Sequence, residues 1–594
     1  MKQFTHFSGQ AVAGGRLFRT AILLLTSTTV LAQDPAALFK QHCSRCHREG
    51  SDARAPRPDV LSLMPRPEIL AALETGSMKT QGDALSHGQR LALAVHLSKI
   101  TEAEIAPGGF CARGATHSKL IGTWNGWGVD LANTRFQPAS GLRAEEIPKL
   151  KLKWAFGFPN ATVVFGQPAI ASGRLYFGSQ SGTVYSVDAR SGCISWTFKA
   201  AATVRTAISL DARLAYFGDL RANVYGVDSA TGKLVWQAHV DTHPSARITG
   251  APALYAGRVY VPVSSVEEPP AGNPQYSCCS FRGSVVALEA ATGKQIWKSY
   301  TIPNPPAKTR VTSAGAQLMG PAGAAIWSAP TIDVRRKLLY VATGNAYSDP
   351  PTKYSDAIIA YDLATGSMQW SRQMTEGDRW NFGCQGARNE TCPSDPGGDF
   401  DFGASPILSG GLLFAGQKSG MMHALDPDRQ GAIVWQTRIG HGGALGGIEW
   451  GIAADDANVY APLSDINGQG NPMGGIFALR KKDGAKVWQT PPPKPACQGK
   501  PGCTAAQMAP ATMIPGVVFS GFMDGHLRAY ESATGKVIWD FDTLREFPTV
   551  NGVKARGGSL NATGPTLAGG MLFVNSGYGA LGGMPGNVLL AFGL

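Results

Sequence analysis

Charge is scarce in this chain: only 16% of its 594 residues are Asp, Glu, Lys or Arg. The formal net charge of +12 is spread thinly, with no Lys/Arg run and no basic helix. That excludes a nucleic-acid-binding surface, which needs clustered positive charge. Past the N-terminus no apolar run reaches the length of a membrane helix, so no membrane span is expected. Disorder is excluded as well, because 43% of residues are hydrophobic and can build a large core. The 73 Gly and 39 Pro then read as turns between many short elements.

The N-terminus has the layout of an export signal. Lys2, Arg16 and Arg19 precede an apolar stretch at 21–32, which closes on Val30-Leu31-Ala32. Residues 1–32 are therefore expected to be removed, and the mature chain is expected in the periplasm. An oxidising compartment favours disulfides among the ten cysteines. Cys384 with Cys392, and Cys497 with Cys503, lie close enough in sequence to clip loops. Cys111 and Cys193 remain as a pair that would tie a linker to the main domain. Cys278 and Cys279 are adjacent, and either a ring between them or separate pairing fits the spacing.

One line recurs seven times. It reads VYSVDARSGCISW ending at Trp196, VYGVDSATGKLVW at Trp236 and VVALEAATGKQIW at Trp297. It returns in related forms ending at Trp370, Trp435, Trp488 and Trp539. Each copy is a hairpin: an alternating strand, a turn rich in Asp, Thr and Gly, then a strand ending in Trp. An apolar run precedes each hairpin, so every repeat supplies the four strands of a propeller blade. An eighth blade is expected from both ends of the domain, with 149–156 (KLKLKWAF) pairing against 587–594 (NVLLAFGL). The repeat tryptophans are read as packing between blades. Residues 33–105 lack the repeat and read as helices at 34–42, 66–73 and 86–97, and 106–120 as a linker. The fold expected is an all-β eight-bladed propeller over 121–594, preceded by a small all-α head.

The head opens on Cys43-Ser-Arg-Cys46-His47, a CxxCH motif. No second ligand pair follows to make a zinc site, and no βαβ context makes a redox dithiol. Two thiols and an imidazole at this spacing attach haem c, and the head resembles a class I cytochrome c domain. His47 is the expected iron ligand, with a thioether opposite, either Met78 in its irregular loop or Met64.

The propeller resembles the PQQ-dependent dehydrogenases from Gly122 to Leu594, starting with GTWNGWGVDLANTRFQPASGL. Its blade signature is shared with non-enzymatic propellers of outer-membrane assembly, so function must come from inward positions. Trp327 and Asn345 bracket WSAPTIDVRRKLLYVATGN at the family spacing. The resemblance implies Trp327 as the aromatic floor for PQQ and Asn345 as an oxygen ligand to Ca²⁺. RITGAPALYAGRVYVPVSSVEE implies Thr249 and Ser264 on PQQ and Glu267 on Ca²⁺, with Glu268 as the alternative at one residue's slip. Arg282 and Lys418 match cationic positions near the quinone, and the family uses an adjacent-cysteine ring as a lid, a role Cys278 and Cys279 would fill. The alcohol dehydrogenases place their base in a Trp-Asp, whereas EGDRWN puts Asn381 there, and a neutral amide is no base. The base is expected at Asp401 or Asp399, in the DFDFGASP segment after the Cys384 to Cys392 loop. That form, with YxCCxFRG, resembles the polyvinyl-alcohol dehydrogenases. The implied reaction is oxidation of a secondary alcohol, with electrons leaving through haem to an external c-type cytochrome.

Overall fold

The computed structural model describes residues 34–48, 55–76, 78–100, 108–112, 122–466 and 474–594. The export segment expected at 1–32 and most of the linker lie outside these residues.

Four-stranded antiparallel sheets follow one another along the chain from Ala169 to Asp542, the third carrying a short extra strand. They are blades 1 to 7. Blade 8 orders three late strands, Thr566–Ala568, Met571–Ser576 and Val588–Gly593, against the early strand Lys151–Gly157. The seam is in register from Lys151 opposite Gly593 to Gly157 opposite Val588, with one bulge between Leu152 and Trp154. The eight-bladed ring closes as the sequence predicts.

The repeat's Gly and Trp serve one junction. Six of the seven repeat tryptophans, all but Trp539, lie over the hairpin turn of the following blade. Trp196 Nε1 donates to the Ser229 carbonyl at 3.0 Å, Trp236 to Ala290 at 2.9 Å and Trp435 to Lys481 at 2.8 Å. The turn glycine beneath must be glycine for two reasons. Gly232 has φ +74°, and a Cβ there would stand 2.7 Å from the Trp196 ring. The tryptophans are core, as expected.

First strands of successive blades meet around the central axis. Because strands alternate in direction, two kinds of connection emerge on one face. These are the link from a blade's fourth strand to the next blade's first, and the link between second and third strands. Every residue considered below for the quinone site lies on or beside such links.

Among the described residues the N-terminal head carries five helices: Pro35–His42, Pro58–Leu61, Arg66–Glu74, Lys79–Gly82 and His87–Leu97. Asp34 and Ser86 start the first and last of these, Ser86 through a reciprocal capping pair with Gln89. Leu38, Leu93 and Ala94 are fully buried at its centre, with Ile69, Leu73 and Leu85 around them. The head rests on the same propeller face. Arg57 donates to the Gly582, Gly583 and Pro501 carbonyls, and Gln180 of blade 1 donates to Glu68. Cys111–Cys193 ties the segment after the head to blade 1. No helix among the described residues is long and apolar enough to cross a membrane.

Candidate active site

Trp327 precedes the first strand of blade 4, at the inner end of its entry link. Trp450, from the link into blade 6, meets it edge-on with centroids 5.3 Å apart. Gly403 permits the approach: a Cβ there would stand 2.2 Å from the Trp327 ring. Thr249 donates to the Trp327 carbonyl at 3.2 Å, and Lys418 Nζ stands 5.3 Å from the ring centroid.

Beside this aromatic surface lies a buried ionic cluster. Lys418 Nζ is 2.8 Å from Asp401 Oδ2 and 3.3 Å from Asp399 Oδ1. The other oxygen of Asp401 accepts the Asn345 backbone N–H at 2.6 Å. The glycine of the TGN motif makes that bond possible, since a Cβ on Gly344 would lie 2.8 Å from Asp401 Oδ1. Asp378 accepts the backbone N–H groups of Asp399 and Phe400 and so fixes the run of chain carrying both candidate bases. Burial pushes the Asp378 carboxyl up to about 6, with Asp401 and Asp399 adding to the rise. Asp356 is fully buried, and neither of its oxygens finds a hydrogen-bond partner among the described residues. Burial first, then Asp378, Asp401 and Asp399, hold it well above the usual carboxylate range. Burial alone would lower Lys418, but Asp399, Asp401 and Glu449 outweigh it and hold the ammonium well above its ordinary value. The cluster is thus acidic on balance, and Lys418 is the cation that touches its two candidate bases.

Asn345 is 1% exposed, and its Nδ2 donates to the Trp380 carbonyl at 2.7 Å. That bond orients the amide and leaves Oδ1 as the atom able to ligate a cation. Glu267 is placed differently. It is fully buried, and its carboxylate accepts from Tyr276 Oη and from the backbone N–H groups of Ser280 and Phe281. It fastens the turn that carries Cys278 and Cys279. Those two cysteines form a disulfide, and both sulfurs lie about 4 Å from the Tyr347 carbonyl. Glu268 is half-buried and acts on Tyr347 more strongly than Glu267 or Asp401 does. Ser264 is buried in strand pairing with Arg247. Arg282 is not turned to the cluster: its guanidinium stacks on Tyr300 at 3.7 Å and donates to the Ile302 and Pro303 carbonyls. Cys384–Cys392 and Cys497–Cys503 are bonded as the sequence predicts.

Arg205 is the residue the sequence reading missed. It lies in the link into blade 2, its guanidinium 4.8 Å from the Trp450 centroid and 6.0 Å from Phe165. Among the described residues it makes no hydrogen bond or salt bridge, and it lines a small cavity with Thr249, Trp327 and Trp450. Burial lowers its affinity for the proton. Glu449 acts on it without forming an ion pair, and a buried guanidinium with no hydrogen-bonded anion among the described residues, beside an aromatic platform, is suited to a carboxylate.

In the head, Cys43 and Cys46 are the described cysteines outside any disulfide. His47 is 8% exposed, and its Nδ1 lies 2.7 Å from the Pro56 carbonyl. That partner fixes Nδ1 as the protonated nitrogen and leaves Nε2 as the nitrogen able to ligate a metal. Met78 and Met64 both pack against the head core, as does Cys43.

A polyvinylalcohol dehydrogenase from a Pseudomonas species is 40% identical to this chain, over 94% of the chain and 93% of the relative. The chain belongs to the polyvinyl-alcohol dehydrogenases. A second polyvinylalcohol dehydrogenase, from a Sphingopyxis species, is 38% identical over 94% of the chain and 92% of its own length. The family is a branch of the PQQ-dependent alcohol dehydrogenases, and the chain is an enzyme of that class. A family model described as outer membrane protein assembly factor BamB matches residues 127–437 and 354–584, which is the blade repeat. The crystal structure of the quinohaemoprotein alcohol dehydrogenase from Comamonas testosteroni has the same fold: TM-score 0.57, 20% identity and 81% of each chain covered.

Proposed function

We propose that this polyvinyl-alcohol dehydrogenase oxidises the secondary carbinols of polyvinyl alcohol with PQQ and Ca²⁺, and passes the electrons through haem c to an external cytochrome in the periplasm. The observation that carries the reading is Asp401, held between Lys418 and the Asn345 backbone beside the Trp327 ring.

The residues fit the quinone. Trp327 offers a flat aromatic face, and Arg205 and Lys418 offer cations for an anionic polycyclic acid. Thr249 and Ser264 lie on the surrounding links. Asn345 Oδ1 and one acidic side chain would hold Ca²⁺, and Glu268 takes that part because Glu267 is committed to the Cys278–Cys279 turn. When bound, PQQ accepts the carbinol hydride and Ca²⁺ supplies Lewis acidity.

The protein's own task is the proton. Asp401 accepts it from the substrate hydroxyl at Oδ2, since a carboxylate oxygen keeps a second lone pair beside the Lys418 bond. Lys418 pairs with that carboxylate at 2.8 Å and orients it. Asp399 shares Lys418 at the longer distance and is placed as a supporting charge.

The head, 33–105, is assigned as the cytochrome domain. Cys43 and Cys46 would attach haem, His47 Nε2 would ligate iron, and Met78 would complete the coordination. Its contacts on the face where the quinone site lies support the reading of the haem as an internal electron acceptor. Four disulfides suit an exported protein.

The test uses protein loaded with PQQ, Ca²⁺ and haem, assayed on polyvinyl alcohol, a small secondary alcohol and methanol. Asp401→Asn should lose about 10²–10⁴-fold in kcat while keeping both cofactors, and Asp399→Asn should lose less. Full activity in both variants, or methanol as the preferred substrate, would sink the proposal.

A further inference from the structure

We infer that Asn381, at the position where related alcohol dehydrogenases keep their base, is a positioning residue whose amide clamps together three loops beside the quinone site. Asn381 is fully buried. Its Nδ2 donates to the Tyr347 carbonyl at 2.8 Å and to the Thr391 carbonyl at 3.0 Å. Its Oδ1 accepts the Gly383 N–H at 2.8 Å. Two acceptors at one end and a donor at the other admit a single orientation of the amide, because the flipped group would set oxygen against two carbonyls.

Tyr347 lies on the link that carries Asn345, Gly383 and Thr391 lie on the link that carries Asn381 itself, and Nδ2 also stands 4.0 Å from Cys278 Sγ on a third. Tyr347 lies two residues past Asn345, and its carbonyl is the group both sulfurs of Cys278–Cys279 approach. Thr391 lies in the loop closed by Cys384–Cys392, and its hydroxyl holds the Ala271 carbonyl of the loop leading to Cys278. Gly383 starts the turn into that disulfide loop and has no room for a side chain: a Cβ would meet Thr391 Oγ1 at 2.0 Å. Asn381 therefore sets how the disulfide turn, the Asn345 to Tyr347 segment and the Cys384 loop stand to one another.

A carboxylate cannot do this. Ionised Asp has no proton for either carbonyl and would face both of them with negative charge at a fully buried position. A protonated Asp regains one of the two donations. Restoring the acid of the related enzymes would thus dismantle the clamp, and the base has to stand elsewhere.

The inference rests on the proposed function for its activity readout, and its stability readout is independent of it. Asn381→Asp and Asn381→Ala are compared with wild type as full-length enzyme, in kcat and KM from pH 5 to 9 and in Tm over the same range. The titratable groups on the loops packed against position 381, among them Glu267, Glu268, Tyr276, Tyr347, Asp349, Asp356, Asp378, Asp399 and Asp401, are unchanged in all three proteins. A different pH profile therefore belongs to position 381. Asn381→Asp should be about ten- to a hundredfold less active than wild type at pH 8, and its deficits in activity and Tm should both shrink as pH falls. The sign follows from burial: the new carboxyl has a raised folded-state pKa, so its penalty grows as pH rises toward that value. Asn381→Ala should be impaired with a deficit independent of pH. If Asn381→Asp matches or exceeds wild type at alkaline pH, or if its Tm deficit does not change with pH, the inference is overturned. Loss of activity in Asp401→Asn tests the assigned base and leaves these melting curves untouched, so the two failures can be told apart.

Discussion

Replacing Lys418 by Met removes the cation that touches both candidate bases, and the structure fixes what should follow. Lys418 is 7% exposed and contacts Asp401 at 2.8 Å and Asp399 at 3.3 Å. Breaking a buried pair by deleting one partner costs about 3–5 kcal/mol, because the remaining charge stays desolvated. At about 1.4 kcal/mol per tenfold in an equilibrium constant, that is roughly a hundred- to several-thousandfold in favour of protonation, shared between the two carboxylates. The assay is kcat/KM against pH in holoenzyme, and the position of the acid limb is read, not its height. A lower plateau alone would follow from any damage to cofactor binding. In Lys418→Met the limb should move at least about one pH unit to the alkaline side, and Lys418→Arg should return it. The titration of Lys418 itself does not intrude. Its folded-state value is held above the ordinary one, so its stabilising contribution is complete below about pH 10.4 and fades only as pH rises beyond that. An acid limb in Lys418→Met that stays at the wild-type pH would refute the assignment of Asp401 and Asp399 as the titrating base pair.

Gly344→Ala places a methyl 2.8 Å from Asp401 Oδ1 and should lower kcat by about a hundredfold with PQQ retained; unaltered turnover would detach Asp401 from the reaction. Arg205→Met should weaken PQQ retention by about ten- to a hundredfold in an equilibrium titration, and equal retention would leave the guanidinium without a ligand. Met78→Ala should alter the reduced haem spectrum and lower the potential, as loss of a thioether ligand requires; no change would move the ligand to Met64.

The propeller was legible because its repeat carries two chemically demanding residues at fixed distance. A turn needing positive φ and an indole needing a flat bed recur together, and Gly232 under Trp196 shows why neither is replaceable. Trp327, Asn345, Lys418 and Asp401 were legible as well, since motif and spacing place them on adjoining links and the structure brings them together. Two other residues are turned elsewhere. Arg282 and Glu267 are named by alignment to a motif, but they sit on an irregular connection where spacing does not settle where a side chain points. Glu267 is drawn to the unpaired N–H groups of its own turn, and Arg282 to Tyr300 and two carbonyls. Arg205 left no motif at all. Its one trace was a lone Arg in the short apolar link TVRTAIS, where the repeat has no structural use for a charge.

The seam in blade 8 gives the ring a single zip. Its two sides, Lys151–Gly157 and Val588–Gly593, are far apart along the chain yet hydrogen-bonded in space. Loop-closure entropy makes such a contact slow to form, so it should be the last to form during folding. Until it forms, blades 1 and 7 flank an open gap, and the links that carry Arg205, Trp327, Trp450 and Asp401 cannot converge on one axis. Cofactor capture is therefore coupled to ring closure, and PQQ should act as a folding ligand as well as an oxidant. The same adjacency makes the propeller a natural subject for circular permutation: a bridge from Gly593 to Lys151 with a new opening in another blade's outer turn would move the zip and leave the site where it is.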